Sequence, residues 1–198
     1  MTDNIATKYE DSESRARIDR ITRGIDHLEH ESDRGVILII GAMLEELLAE
    51  LLKNVLDPAV SDKLLNGSNA PLGSFSARAK MAFAIGMIDA QHYKDIEVIR
   101  KVRNAAAHFD VRQGFDTGFQ SQSVIGLCGN LSQDILSTGA SARERFIFAA
   151  KITCGSIMGH VIIAQVVSMH KGHSAALKAV QGKTKDFMYD FQDIDGDD

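Results

Sequence analysis

The sequence predicts an all-α, single-domain helical bundle with a long C-terminal helix, and three observations carry that prediction. Only two prolines occur in 198 residues, Pro58 and Pro71, so long uninterrupted helices are permitted. Aromatic residues make up 6% of the chain and Trp is absent, leaving Ala, Leu, Ile and Met to fill a core suited to helix-on-helix packing. Apolar residues recur at spacings of three and four in several stretches, and no alternating strand pattern competes with them.

The elements follow in order. Residues 1–12 are polar and are read as a disordered N-terminus, residues 13–185 as one helical domain, and residues 186–198 as an acidic flexible tail. Ile18, Ile21, Ile25 and Leu28 form a first apolar stripe. Asp33 is expected to cap the next helix, whose Val36-Ile-Leu-Ile-Ile40 start is apolar all round and therefore central. That helix continues through Leu44, Leu47, Leu48, Leu51, Leu52 and Val55, with Glu45, Glu46 and Glu50 outward. Asp57-Pro58 pairs an N-cap with proline at the first helical position, opening a short helix to Leu65. The run 66–73 is a loop by composition. Ser74 or Ser76 caps a helix placing Phe75, Ala79, Ala82, Phe83 and Met87 on one side. A helix over about 92–108 turns Ile96, Ile99, Val102 and Ala106 to the core. An ordered loop (110–119) and a short helix near 121–127 lead to Ser141-Ala-Arg-Glu144, a capping box in which Ser and Glu satisfy each other's backbone N–H groups. It opens the longest helix, about 142–170.

Within that helix, Ile152 to Met169 contains no Asp, Glu, Lys or Arg. Its length is near the roughly 18-residue spanning threshold. Thr153, Ser156, His160, Gln165 and Ser168 interrupt it and no aromatic belt flanks it, so a buried core helix is expected and no membrane partner. The polar start, Met1-Thr-Asp-Asn, lacks a signal-peptide pattern and predicts a cytoplasmic protein. Cys128 and Cys154 have no CxxC spacing and read as buried reduced thiols. His27-x-x-His30 and His170-x-x-His173 have ligand-like spacing without a carboxylate or Cys set. No metal site and no cofactor are expected.

Function is sought in charge and in one segment. The formal net charge is −5, and a protein that grips DNA phosphates usually presents a basic face. The most basic window, Arg78 to Arg112, holds seven cations (Arg78, Lys80, Lys94, Arg100, Lys101, Arg103, Arg112) against Asp89, Asp95, Glu97 and Asp110, a surplus of three. A solvated helical face is the plainer reading, and direct operator binding the weaker one. In Ile99-Arg-Lys-Val-Arg-Asn-Ala-Ala-Ala-His-Phe109, Arg100, Asn104 and His108 recur every four residues and share a line. Arg103 and His108 lie about 140° apart on an ideal helix and do not.

The spacing of Arg103 and His108 resembles the R-x4-6-H motif of HEPN domains, helical bundles that include metal-independent ribonucleases whose motif residues meet across a dimer. The chemistry suits RNA cleavage: arginine stabilises phosphorane charge and histidine moves a proton near neutral pH. The wider chain resembles the mannitol operon repressor (MltR-like) family. The resemblance rests on Asp33-Arg34, Leu44-Glu-Glu-Leu-Leu48, Pro71-Leu-Gly-Ser-Phe-Ser-Ala-Arg78, Ala84-Ile-Gly-Met-Ile88, Ile99 to Phe109, and Ser141-Ala-Arg-Glu-Arg-Phe146. Together these cover most of residues 33–165. It implies an all-α fold and a role in regulating transcription, and no recognised DNA-binding motif; action through a protein partner is the first hypothesis for that role.

Three roles are open for Arg103, Asn104 and His108. They can form a structural network, with arginine paired to Glu45 or Glu46 and His108 capping its helix. Alternatively Arg78, Arg100, Arg103 and His108 bind a partner. Finally, Arg103 and His108 cleave RNA as a homodimer, with Asn104 positioning. Asp33, Arg34, Glu45 and Glu46 are the candidates for the structural network, and Arg78 is expected to brace the 66–73 loop or meet an acidic residue.

Overall fold

Two helices that run side by side in the same direction organise the chain. The computed structural model describes residues 20–21, 23–25, 27–67, 69–107, 118–132 and 139–192, with the backbone alone at Glu29 and over 184–192. Among these, seven α-helices and one 3-10 helix (His27–His30) occur and no strand. The helices are α1 (Asp33–Val55), α2 (Pro58–Leu65), α3 (Phe75–Ala84), α4 (Ala90–Ala107), α5 (Gln122–Cys128), α6 (Ala142–Lys171) and α7 (His173–Gln192). Asp33 meets Arg143 at one end and Glu50 meets Gln165 towards the other, so α1 and α6 are parallel. Each buries a long apolar face: Val36, Ile37, Ile40, Leu44, Leu48, Leu51 and Leu52 from α1, and Phe146, Ala150, Cys154, Ile157 and Val161 from α6. Helices α3 and α4 cover one flank of α1, and α7 folds back against α6.

Local chemistry explains the boundaries. Ser32, not Asp33, caps α1 and accepts the Gly35 N–H at 3.1 Å. Asp33 is thereby released for a tertiary role. Asp57 accepts from Ala59 N ahead of Pro58, and Ser74, rather than Ser76, accepts from Ala77 N. The capping box of α6 is complete, with Ser141 Oγ accepting from Glu144 N and Glu144 Oε2 accepting from Ser141 N. These bonds hold the Glu144 carboxyl below its ordinary range.

Several expectations shift. Helix α4 starts at Ala90, and its predicted core residues Ile96, Ile99, Val102 and Ala106 are all fully buried. Helix α3 ends at Ala84, so Met87 reaches the core from the following turn. Phe83 does not join the core stripe: it is 40% exposed. Gly172 (φ +81°) closes α6 in a conformation that side chains disfavour, and a separate helix follows it, continuing to Gln192 into the segment expected as a tail. The predicted N-terminal disorder, Ile18, the last residues of the tail and most of the 110–119 loop lie outside the described residues.

Helix α6 is long and apolar enough to cross a membrane by length and composition alone. Half of its most apolar stretch is buried inside the bundle, the pattern of a core helix. Cys128 and Cys154 are free and buried. Burial pushes both thiols up to about 12, which removes the reactive thiolate.

Candidate functional site around Arg103

The segment with the most information lies on α4, and the structure separates its charged residues into two faces. Arg103 points back to α1. Its aliphatic stem lies over Gly41, where an added Cβ would sit 2.7 Å from Arg103 Cγ. Its guanidinium is 3.7 Å from Glu45 and donates to Asn104 Oδ1 at 3.3 Å. The pairing falls to Glu45, while Glu46 is exposed one residue on. The pair is only part-buried: the Arg103 side chain is 37% and the Glu45 side chain 25% exposed. His108 lies outside the described residues. Arg100, one turn before Asn104 on the same line of α4, grips Glu97 in a two-bond fork, at 3.0 and 2.8 Å. That fork draws the Glu97 carboxyl below its ordinary range and raises Arg100.

Glu45 does two jobs. Its carboxylate meets Arg103, and its backbone carbonyl accepts from Arg78 Nη1 at 3.2 Å. Arg78 also donates through Nε to Leu72 O at 2.9 Å and through Nη2 to Leu65 O at 3.1 Å. Its guanidinium therefore fastens the end of α2, the 66–73 loop and α3 to the middle of α1. Arg78 braces the loop, and among the described residues it meets no carboxylate.

A second cluster ties the two parallel helices at their starts. Arg143 pairs with Asp33 and donates to the carbonyls of Leu28 and Glu31, both at 3.0 Å. The other Asp33 oxygen accepts from Phe119 N, next to the Phe119 ring packed on Phe146. Asp33 thus serves the network, whereas Arg34 stands part-exposed in the first turn of α1.

Sequence reading passed over two features. The Phe83 and Tyr93 rings stack with centroids 4.6 Å apart and planes within 9°, on the α4 face that also carries Arg100. Phe83 lies at the edge of its helical stripe, a position from which a ring can turn either way. Beside the turn after α3, His92 donates its backbone N–H to Asp89 Oδ1 and holds Oδ2 with Nδ1. Asp89 is half-buried, which acts to raise its pKa, but these bonds outweigh that and hold it low. Next to them His160 buries an Nδ1 that has no hydrogen-bond partner among the described residues, and burial lowers its pKa to about 4.

The residues of the second histidine pair bond separately. His170 bonds Val166 O and His173 bonds Asn54 O. Among the described residues no group of three His, Cys, Asp or Glu is placed to share a metal ion.

Comparison with known proteins places this arrangement. Residues 25–141 match the family described as mannitol repressor (MtlR), a span that runs from the buried Ile25 to the Ser141 cap. No curated protein and no solved structure matches the chain. The matched span covers more than half of the sequence and includes Asp33, Glu45, Arg78 and Arg103: the chain belongs to the mannitol repressor family.

Proposed function

We propose that this mannitol-repressor-like regulator acts in the cytoplasm by binding a protein partner, without catalysis and without gripping an operator itself. The observation that carries the reading is how the signature arginines are spent. Arg78 is fixed on three carbonyls, Arg143 on Asp33 and two carbonyls, and Arg103 on Glu45 and Asn104. An arginine meant for phosphate or for a phosphorane has to present open N–H groups to it. These donate to the bundle's own acceptors.

One observation favours the ribonuclease reading. The partial exposure of Arg103 leaves its guanidinium within reach of a second protomer. RNA cleavage assays and a promoter mobility shift at low salt separate the alternatives. The expected result is intact RNA, no shift, and derepression of a mannitol-operon reporter when the gene is deleted. Cleavage abolished by Arg103→Ala and by His108→Ala would establish the ribonuclease. A shift that weakens steeply with salt would establish direct operator binding.

A further inference from the structure

We infer that the outer face of α3 and α4, centred on the stacked Phe83 and Tyr93 rings, is the docking surface for an acidic, aromatic-bearing segment of the partner protein. This rests on the protein-contact reading above and gives it a place. Tyr93, Glu97, Arg100 and Asn104 follow one another at spacings of four, three and four along α4, and Lys94, Glu97 and Lys101 at three and four. Both lines therefore face away from the core residues Ile96, Ile99 and Val102. From α3, Lys80 acts on the same Glu97 carboxylate as Lys101 does. The ring pair is accordingly bordered by three exposed lysines, Lys80, Lys94 and Lys101, and by an Arg100 already matched to Glu97.

Two elements of this surface have distinct uses. A flat aromatic pair, with Phe83 40% exposed, offers apolar area at small entropic cost, and aromatic and arginine side chains are the types that dominate interface energetics. The three lysines attract acidic side chains and set orientation and on-rate. On a chain whose net charge is −5, this local excess selects an anionic partner. The chemistry favours protein over nucleic acid. Arg100 is already neutralised by Glu97, and three lysines fall short of the roughly 6–10 phosphate contacts of a typical DNA-binding surface.

The absence of Trp from the chain makes the test direct. A short Asp/Glu peptide with one central Trp is titrated with the full protein, and the peptide's emission is followed. The expected result is a blue-shifted, saturable signal that weakens with salt. Phe83→Ser should weaken binding about thirty-fold, the size of an interface hot spot, and the Lys80→Glu/Lys101→Glu pair about tenfold. Lys53→Glu on the last turn of α1 should leave it unchanged, and circular dichroism verifies that each variant is folded. No signal with the wild type overturns the proposal, as does equal binding by folded Phe83→Ser protein. So does a single-stranded oligonucleotide that binds where the peptide does not. If reporter repression survives Phe83→Ser with Lys101→Glu, this surface is wrong while the regulator reading stands. A chain that cleaves RNA removes the reading itself.

Discussion

Arg78 and Arg103 show how much of this fold hangs on single side chains. Arg78 gives three donors to carbonyls from three different segments, and truncation leaves all three part-buried acceptors without them. Arg78→Ala is expected to cost about 2–4 kcal/mol in urea unfolding, and Arg78→Lys to recover only part, because an ammonium lacks the planar fork. Arg103 sits on Gly41, a position in mid-helix where Ala would ordinarily gain about 1 kcal/mol. Here the added methyl meets Arg103 Cγ at 2.7 Å, and overpacking costs about 1–3 kcal/mol. Gly41→Ala should therefore destabilise the wild type. In an Arg103→Ala background it should stabilise, and a double-mutant cycle by thermal unfolding reads the reversal.

At the scale of elements, the caps decide where helices start. Both Ser74 and Ser76 satisfy the sequence rule for starting α3, and only Ser74 makes the bond to Ala77 N. Ser74→Ala is expected to lose about 1 kcal/mol, and Ser76→Ala, inside the helix, close to nothing; chemical denaturation of the two variants checks this. Asp33 had the right chemistry for a cap, but Ser32 took the role one residue earlier. Helix ends are legible from sequence to within a residue or two because capping is local. The use of the neighbouring acid is not legible, since its partner Arg143 lies 110 residues away. Helix α6 makes the same point on a larger scale: its polar interruptions point to a core helix, and α1 and α7 are the elements that cover it.

For the whole molecule, the buried histidine edge between α6 and the α3–α4 turn sets a pH dependence. Burial of His160, added to by nearby His92 and opposed by the Met87 carbonyl and Asp89, lowers its pKa from 6.5 to about 4. The unfolded chain then binds more protons than the folded one between those values, so stability falls as pH drops from about 6.5 towards 4. The loss is of order 3 kcal/mol. Asp89 and Glu97, held below their ordinary carboxylate ranges, add their own losses only at lower pH. Thermal unfolding from pH 7 to 4.5 should show the decline in the wild type and a flatter profile in His160→Gln, which keeps a donor for Met87. An unchanged slope in that variant would assign the decline elsewhere.

By itself the sequence determined the helical class, most helix starts, and the residues that fill the faces of α1 and α4. All of these follow from spacing within a single segment, where the 3.6-residue repeat and capping act. Family membership was legible too, through strings that turn out to hold the bundle's internal arginine anchors. Only the tertiary structure decided that Glu45 rather than Glu46 meets Arg103, that Arg78 seeks carbonyls, and that Phe83 turns outward to stack on Tyr93. Those choices depend on which helices come side by side. Charge and aromatic character state what a side chain can pair with; packing of distant segments selects the partner.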